Sequence, residues 1–249
     1  MTVSDGFPDH FSARSTHYAR YRPHYPAELF EFLASLTAKH SLAWDCATGS
    51  GQAAIALSAH FKRVVATDAS KAQIDAAITH PGDTYRVAAA EDSQFDTGSI
   101  DLITVGQAMH WFDIERFFAE AERVLVSRGV LAAWCYELCQ VSSACDAVVD
   151  ELYSEIVGVF WPPERRLIET GYAGIAMPGD AIESRDFHMS ASWTVADMLG
   201  YLRTWSVCAR YRQEHGDDPV SRIETALRAA WGEGRRAVRW PLTLLASRL

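Results

Sequence analysis

Short apolar runs alternate with helix-like segments between residues 42 and 137, and this alternation limits the fold more than any other feature of the sequence. Segments with helical periodicity follow the first, second and fourth runs. Strands that alternate with helices predict right-handed crossovers and a parallel sheet that is covered on both faces. The strand-like runs are LAWDC, RVVATD, TYRVAAA, IDLITVG and GVLAAWCYE.

The sequence after Glu137 has a different character and predicts two further strands among helices. The segments SRDFHMSASWT and RAVRWPLTLLASRL have strand-like compositions, and the second contains a proline, Pro241, that suits an edge strand or a bulge. Proline and glycine punctuate the stretch from about residue 160 to residue 180, which predicts loops and short helices. No internal repeat or low-complexity tract divides the chain, so we expect one domain with a decorated second half.

Charge and cysteine content restrict the classes of protein to which the chain can belong. It has 249 residues and a formal net charge of −9, whereas a nucleic-acid-binding protein normally carries a basic surface. The first twenty residues have no apolar core, and no apolar stretch approaches the length that spans a bilayer. The five cysteines form no C-x-x-C pair, which argues against a structural zinc site. We therefore expect a cytoplasmic monomer or homodimer that acts without nucleic acid, membrane or metal.

The first strand-like run ends at a carboxylate and leads into a glycine-containing turn. Asp45 lies at the end of the run, Gly49 and Gly51 follow, and Asp68 ends the next run. Ligands of open parallel sheets bind outside the carboxyl ends of the strands, where glycine lets the main chain approach closely. A carboxylate at Asp68 can accept hydrogen bonds from both hydroxyls of a ribose.

Two cofactor classes use such a turn, and its acidic residue favours one of them. Alanine can occupy the third position of a G-x-G-x-x-G/A motif, so Gly49, Gly51 and Ala54 also permit a dinucleotide. Asp45 would repel the diphosphate of a dinucleotide and attract a sulfonium with a free amino group. A nicotinamide-dependent oxidoreductase is therefore the disfavoured alternative.

An ordered set of motifs resembles a known family that uses this arrangement. DCATGSG resembles motif I of the class I S-adenosylmethionine-dependent methyltransferases, D/E-x-G-x-G-x-G, and VVATD resembles their second motif. VAAAEDSQFDTGSIDLITVGQAMHWFD is similar to the stretch that follows in the type 11 subgroup. YARYRPHYP and SWTVADMLGYLRTWS resemble the start and a late helix of the small-molecule branch related to trans-aconitate methyltransferases.

Three positions depart from the family motifs. Ala47 replaces the first glycine of motif I, and its methyl group predicts a negative φ at that position. Gln94 stands where proline is frequent, and Ser93 stands where an apolar residue is usual. None of these departures removes an obvious cofactor contact.

The resemblance implies a fold and a division of the chain. The expected fold is a Rossmann-like, seven-stranded, mostly parallel α/β sheet with helices on both faces, in which five parallel strands precede an antiparallel pair and the last strand is antiparallel. Residues 1–249 then form a single methyltransferase domain. Its expected parts are an N-terminal helical lid (1–40), a cofactor-binding core (41–137), a helical cap with substrate-side elements (138–235) and a terminal strand (236–249).

The cofactor implied by the resemblance is S-adenosyl-L-methionine, with S-adenosyl-L-homocysteine as the product. We expect Asp68 to bind the ribose, residues 90–91 to frame the adenine, and Gly106 and Gln107 to lie near the methionine moiety. Arg22 could bind either the cofactor or the methyl acceptor. The predicted cofactor-binding residues are Asp45, Ala47, Thr48, Gly49, Gly51, Gln52, Asp68, Ala69, Ala90, Glu91, Gly106, Gln107, Tyr21 and Arg22.

The candidate catalytic residue is His110, in the run HWF that follows the fourth strand. It could act as a general base, as a hydrogen-bond partner of the substrate or as a structural histidine. Tyr18, Trp111 and Trp205 are the predicted substrate-binding residues. Four arginines in two adjacent pairs are more typical of a solvated surface than of a site, namely Arg165, Arg166, Arg235 and Arg236.

These features favour a methyltransferase that acts on a small molecule. The segment GQAMHW stands where nucleic-acid and protein methyltransferases of this class carry an N-P-P-Y-type tetrapeptide, which argues against those substrates. Aromatic and arginine-rich segments at both ends of the chain point to O-methylation of a carboxylate-bearing metabolite. The alternative is a protein that binds the cofactor without turnover and acts as a sensor or partner subunit.

Overall fold

The structure, a computed structural model that describes residues 21–249, is built on five parallel strands. All five coincide with runs predicted from the sequence. They lie in the order β3-β2-β1-β4-β5, so the strand order reverses between β1 and β4. The strands β1 to β5 are Ala43–Cys46, Val64–Asp68, Thr84–Val87, Ile100–Gly106 and Leu125–Tyr136.

A second group of strands continues the sheet beyond β5. The strands β6, β7 and β8 are Asp180–Ala181, Phe187–Trp193 and Arg236–Arg248. β8 pairs antiparallel with β5 on one side and with β6 and β7 on the other. The predicted Rossmann-like, mostly parallel sheet with an antiparallel last strand is thereby confirmed. The described residues contain one strand more than the seven expected, because β6 has two residues and therefore no sequence pattern.

Pro241 lies at an interruption of the β5–β8 ladder and not at a sheet edge. β8 is an interior strand, in which Pro241 pairs with His188 of β7. The amide of Arg239 donates to Gln140 and therefore points towards the β5 side of β8. Because alternate residues of a strand direct their amides to the same side, the nitrogen of Pro241 points that way as well. The pairing of β8 with β5 ends at the pair Tyr136–Leu242. It resumes beyond the end of β5, where Gln140 pairs with Arg239. The edge expectation is wrong because the ladder itself leaves a gap where no amide is needed.

Helices cover both faces of the sheet. The residues of β5 alternate between two buried clusters, with Ala132 and Trp134 in one and Leu131 and Ala133 in the other. A strand that is buried on both faces requires this alternation. No helix within residues 21–249 combines the length and the apolar character needed to cross a bilayer. The helices α1 to α9 are Ala27–Ser35, Gln52–Leu57, Lys71–Ala76, Ile114–Val124, Ser143–Asp150, Arg165–Glu169, Val195–Arg203, Ser206–His215 and Val220–Trp231.

Candidate active site

A cavity of about 340 Å³ opens at the carboxyl ends of β1, β2, β4 and β5. This volume lies in the range of small-molecule sites. Residues between positions 22 and 25 and residues of α6, α7 and α8 also line it. Most residues predicted for the site line it, namely Arg22, Asp45, Ala47, Thr48, Gly49, Gln52, Asp68, Ala69, Ala90, Glu91, Gly106, Gln107, His110, Trp111 and Trp205.

Two predicted site residues within the described part of the chain do not line this cavity, and a third is not described. Gly51 lies in the same turn but packs against Ile78. The ring of Tyr21 packs against Gly200 of α7, and a Cβ added to Gly200 would lie 2.7 Å from that ring. Tyr18 lies outside the described residues. In the structure Tyr21 therefore packs against the cap, and its cofactor role remains a prediction.

The turn after β1 has three residues in the left-handed region. Their φ values are +55° at Ala47, +53° at Gly49 and +83° at Gly51. The prediction of a negative φ at Ala47 is therefore wrong. The turn requires the left-handed conformation because it brings the amide of Thr48 to the carbonyl oxygen of Thr67, at 2.9 Å, in β2. An L-residue in this conformation costs about 1–2 kcal/mol, which the rest of the turn offsets.

The two glycines of the turn have different surroundings. A Cβ on Gly49, which lines the cavity, would meet no protein atom within 4 Å. A Cβ on Gly51 would lie 2.5 Å from the carbonyl oxygen of Ile78 and 3.3 Å from the ring of Tyr85. Gly49 therefore keeps space open beside the turn, and Gly51 allows the turn to pack against the chain behind it.

Asp45 is a buried carboxylate, 1% exposed, whose oxygens accept from two hydroxyls. Thr48 Oγ1 donates at 2.6 Å and Thr104 Oγ1 at 2.9 Å. Burial raises the pKa of Asp45 to about 6, although both hydroxyl hydrogen bonds lower it. None of the ion pairs within residues 21–249 includes Asp45. A cationic group in the cavity would therefore stabilise the ionised form.

Asp68, at the end of β2, connects two turns of the cavity. Its Oδ2 accepts from the amide of Gly49 at 3.0 Å, and its Oδ1 accepts from the amide of Ser70 at 2.8 Å. Burial raises the pKa of Asp68, and these hydrogen bonds partly offset the effect. A carboxylate has about four acceptor positions, so each oxygen keeps capacity for one more donor. That capacity suits the two neighbouring hydroxyls of a ribose.

The loop after β3 is fixed from behind by a buried carboxylate. Glu120 of α4 accepts from the amide of Ser93 at 2.9 Å and also from the Ser93 hydroxyl. Ala90 and Glu91 line the cavity from this loop. Gln94 has a φ of +60°, which a proline ring cannot adopt. The departure from the family motif at Gln94 is therefore consistent with the loop that this chain forms.

Gln107, directly after β4, uses its side chain as a strand partner. Its Nε2 donates to the carbonyl oxygen of Tyr136 at 3.0 Å, and its Oε1 accepts from the amide of Tyr136 at 2.8 Å. The hydroxyl of Tyr136 accepts in turn from Nη1 of Arg22 at 2.6 Å. Besides lining the cavity, Gln107 therefore positions the end of β5 and, through it, Arg22.

The N-terminal segment (residues 21–26) is held by side chains of three other elements, α2, β5 and α7. Gln52 accepts from the amide of Tyr25 at 2.9 Å and donates to the carbonyl oxygen of Pro23 at 3.3 Å. Arg22, besides its bond to β5, lies 5.7 Å from the ring centroid of Tyr201 in α7. Arg22 therefore joins the segment to the sheet and to the cap.

His110 lies in the short helical turn Met109–Trp111 that follows β4. Its Nδ1 is 3.3 Å from the hydroxyl oxygen of Tyr172. Burial and the positive charge of Arg165 lower the pKa of His110 to about 3. The imidazole is consequently neutral near pH 7 and a weak base, which disfavours the general-base role. A hydrogen-bonding role and a structural role both fit this environment.

Several residues of the cap that the sequence did not assign to the site also line the cavity. Trp161 and Tyr201 join the predicted Trp205 to form an aromatic wall (Trp161, Tyr201 and Trp205), with ring centroids 5.8 Å apart for Trp161–Trp205 and 6.1 Å for Tyr201–Trp205. Arg165, expected on a solvated surface, lines the cavity beside this wall. No periodicity or motif places the segment of Arg165 next to His110, so the sequence carried no usable signal for it.

The groups around the cavity fit a cofactor with a ribose and a cationic centre. Asp68 keeps acceptor capacity for ribose hydroxyls, and the missing Cβ of Gly49 leaves room beside the turn. The excess of carboxylates suits a sulfonium and an ammonium group and would repel a diphosphate. The carboxylates that line the cavity are Asp45, Asp68, Glu91 and Glu137.

Comparison with known protein families and relatives shows which proteins the chain resembles. The family model described as a methyltransferase domain matches residues 44–133. A Dictyostelium discoideum protein described as a methyltransferase is 36% identical over 228 residues, which cover 90% of this chain and 87% of that protein. A Saccharomyces cerevisiae protein described as an S-adenosylmethionine-dependent methyltransferase is 23% identical over 241 residues, covering 82% of this chain and 83% of that protein.

A solved structure resembles almost the whole described fold. It comes from Anaeromyxobacter dehalogenans and is described as a type II methyltransferase. The sequences are 43% identical, the TM-score is 0.85, and the alignment covers 92% of this chain and 98% of the other. The likeness therefore extends beyond the cofactor-binding core to the cap and the antiparallel strands.

Proposed function

The chain belongs to the class I S-adenosylmethionine-dependent methyltransferases, and on that basis we propose that it methylates a carboxylate oxygen of a small molecule. The cofactor is S-adenosyl-L-methionine. When bound, it supplies an electrophilic methyl group on a sulfonium. The proposal concerns the acceptor, which the family alone does not define.

The observation that carries the proposal is the burial of His110 near the positive charge of Arg165, which makes the imidazole a weak base. It is the only histidine among the described residues that line the cavity, and its pKa of about 3 makes it a weak base. A phenol, an amine or a carbon acid has to lose a proton during methylation, whereas a carboxylate is already ionised near pH 7. A site whose buried histidine is a weak base is therefore best suited to an acceptor that arrives as an anion.

The side chains of this cavity have the roles of binding, orientation and exclusion of water. Asp68 and the main chain of the turn after β1 hold the cofactor, and Asp45 provides negative charge near its cationic part. The aromatic wall keeps water away from the acceptor and limits its movement, so that an in-line approach is favoured. His110 donates or accepts one hydrogen bond and retains its protonation state throughout.

The boundary of the cavity also supports a small acceptor. Residues of both the N-terminal segment and the cap line the cavity at the carboxyl ends of the strands, and this enclosure suits a metabolite more than a segment of a polymer. The net charge of −9 disfavours nucleic acid as a partner. We therefore propose a small-molecule acceptor and no nucleic-acid partner.

The test is a transfer assay with cofactor that carries a labelled methyl group. Panels of carboxylic acids, phenols and amines are incubated with the protein, and each product is treated with dilute base. Methyl esters release labelled methanol on this treatment, whereas methyl ethers and methylamines do not. Base-labile label is expected only with carboxylic acids, and base-stable label with phenols or amines contradicts the proposal. Cofactor binding without transfer to any acceptor would favour the alternative of a sensor or partner subunit.

A further inference from the structure

Arg165 is held rigidly at the edge of the aromatic wall. Its Nε donates to the hydroxyl oxygen of Tyr153 at 3.0 Å, and its guanidinium carbon lies 4.7 Å from the ring centroid of Trp161. The Tyr153 hydroxyl donates in turn to Glu169, in the last position of α6. These contacts fix the plane of the guanidinium before any ligand arrives.

The terminal nitrogens of Arg165 have no protein partner within residues 21–249. Other arginines of the cap are neutralised, as Arg203 and Arg212 are by Asp218. Arg165 takes part in none of the ion pairs of this part of the chain, and the only hydrogen bond of its side chain there uses Nε. The two terminal nitrogens together carry four N–H groups and form the fork that binds carboxylates bidentately.

The charge of Arg165 acts on the interior of the cavity. It lies near enough to His110 to lower the pKa of that imidazole, and both residues line the cavity. Arg22 is the second arginine of the lining, but it is already engaged by Tyr136 and Tyr201. A cavity with four carboxylates needs a local cation to admit an anionic acceptor, and Arg165 is in place to supply it.

We propose that Arg165 anchors the carboxylate of the acceptor, while the acceptor's apolar part lies along the aromatic wall. The proposal rests on the proposed function in that it assigns a residue to the acceptor of the same reaction. Arg22, the sequence-based choice for this role, instead fastens the N-terminal segment. Arg165 is therefore a specificity residue for anions, located in the cap and not in the cofactor-binding core.

The proposal has a kinetic consequence that a structural role does not share. The negative charge of the carboxylate diminishes as the methyl group is transferred, so the ion pair with Arg165 is stronger with the substrate than in the transition state. An interaction of this kind governs KM more than kcat. The neutral methyl ester loses the ion pair, which favours release of the product.

The direct test measures binding of trans-cinnamate, a flat carboxylate, and of its uncharged methyl ester to the complex with S-adenosylhomocysteine by calorimetry. Arg165→Met is expected to weaken cinnamate binding roughly 10- to 100-fold, in line with loss of a charge-assisted contact. Binding of the methyl ester should remain within about 2-fold, since it carries no charge to pair. Arg165→Lys should recover part of the lost affinity, because it restores the charge without the planar fork.

The matched control is Arg166→Met, which removes the exposed neighbour that does not line the cavity. It should leave cinnamate affinity unchanged. Binding of S-adenosylhomocysteine at wild-type strength verifies that Arg165→Met and Arg165→Lys are folded. The proposal is overturned if cinnamate does not bind the wild-type complex, if it binds wild type and Arg165→Met equally, or if the ester loses as much affinity as the acid.

The transfer assay separates this proposal from the proposed function. Base-labile product from wild type, together with equal KM values in wild type and Arg165→Met, would retain carboxylate methylation and reject Arg165 as the anchor. Cinnamate binding that depends on Arg165 in a protein that methylates only phenols or amines would retain the anion site and reject carboxylate methylation. A raised KM with kcat within about 3-fold of wild type supports both.

Discussion

The cofactor half and the acceptor half of the cavity are built from different kinds of chemical groups. The cofactor half consists of main-chain turns, small residues and two carboxylates at the ends of β1 and β2, of which that of Asp45 is buried and that of Asp68 is partly buried. The acceptor half is formed by large side chains of the cap, the aromatic wall and Arg165. The shape of the cofactor half depends mainly on glycines and other small residues that leave space open. The shape of the acceptor half depends on the large side chains that line it. Added atoms should therefore damage the cofactor half, and removed atoms should damage the acceptor half.

The largest effect is expected from an added methyl group at Gly51. In Gly51→Ala the Cβ would lie 2.5 Å from the carbonyl oxygen of Ile78, in a residue with a φ of +83°. The left-handed strain and the overpacking together should lower the free energy of unfolding by about 2–5 kcal/mol. Urea denaturation measures this loss.

The matched variant is Gly49→Ala, which meets no protein atom within 4 Å. Its free energy of unfolding should fall by only about 1–2 kcal/mol from strain, while affinity for S-adenosylhomocysteine falls because the Cβ occupies space beside the turn. If Gly51→Ala and Gly49→Ala lose the same free energy of unfolding, Gly51 is not distinguished from Gly49 by its packing, which contradicts this prediction.

The next effect concerns the charge of Asp45 and depends on pH. The pKa of this carboxyl rises from 3.8 to about 6 on folding, so its contribution to stability is fully present below about pH 4 and is lost as the pH passes 6. The shift corresponds to about 3 kcal/mol. Asp45→Asn should therefore raise the free energy of unfolding of the cofactor-free protein at pH 8, and the gain should disappear near pH 4. A gain that is the same at both pH values would show that ionisation of Asp45 is not its cause.

A smaller effect is expected for the ribose contact of Asp68. Asp68→Ala should weaken binding of S-adenosylhomocysteine by about 1–3 kcal/mol, through loss of the ribose hydrogen bonds and of the link to the amide of Gly49. Calorimetry measures the change. Arg165→Met, in the acceptor half, should leave this affinity unchanged. Wild-type affinity in Asp68→Ala would remove the ribose role from this residue.

The smallest effect is a stabilisation, and it tests whether removal of atoms from the turn after β1 is tolerated. Ala47→Gly removes a methyl group from a residue with a φ of +55°. The variant should be more stable by about 1 kcal/mol, which raises Tm by roughly 2–4 °C for a chain of this size. Thermal unfolding of the two proteins side by side provides the measurement. A lower Tm for Ala47→Gly would indicate that the methyl group makes contacts that outweigh its strain.

The cofactor half could be predicted because its residues are close in sequence. Asp45, Gly49 and Asp68 belong to consecutive strands and turns, and parallel pairing brings such strand ends together wherever the fold occurs. Arg165 is 55 positions beyond His110, in a segment without periodic structure. Its position in the cavity depends on how the cap packs, which local sequence does not encode.

The wrong φ at Ala47 and the wrong choice of a sheet edge for Pro241 have a common origin. In both cases the preference of the residue was taken as the conformation of the chain, although an interrupted ladder at Pro241 agrees with the other alternative, a bulge. The main chain at Ala47 follows the hydrogen bond from Thr48 to β2, and Pro241 occupies a gap that the end of β5 creates. Tertiary hydrogen bonding determines both conformations, and it becomes visible only when distant strands are paired.

The hydrogen bonds of Gln52 to Tyr25 and Pro23 bear on how quickly the cavity exchanges its contents. The side-chain amide of Gln52 fastens the N-terminal segment through both of its polar atoms. Each such bond contributes on the order of 1 kcal/mol, and water can replace it. The strands that also bound the cavity are joined by ladders of main-chain hydrogen bonds, so their displacement costs far more. We therefore expect the residence time of a bound molecule to be governed by detachment of this segment.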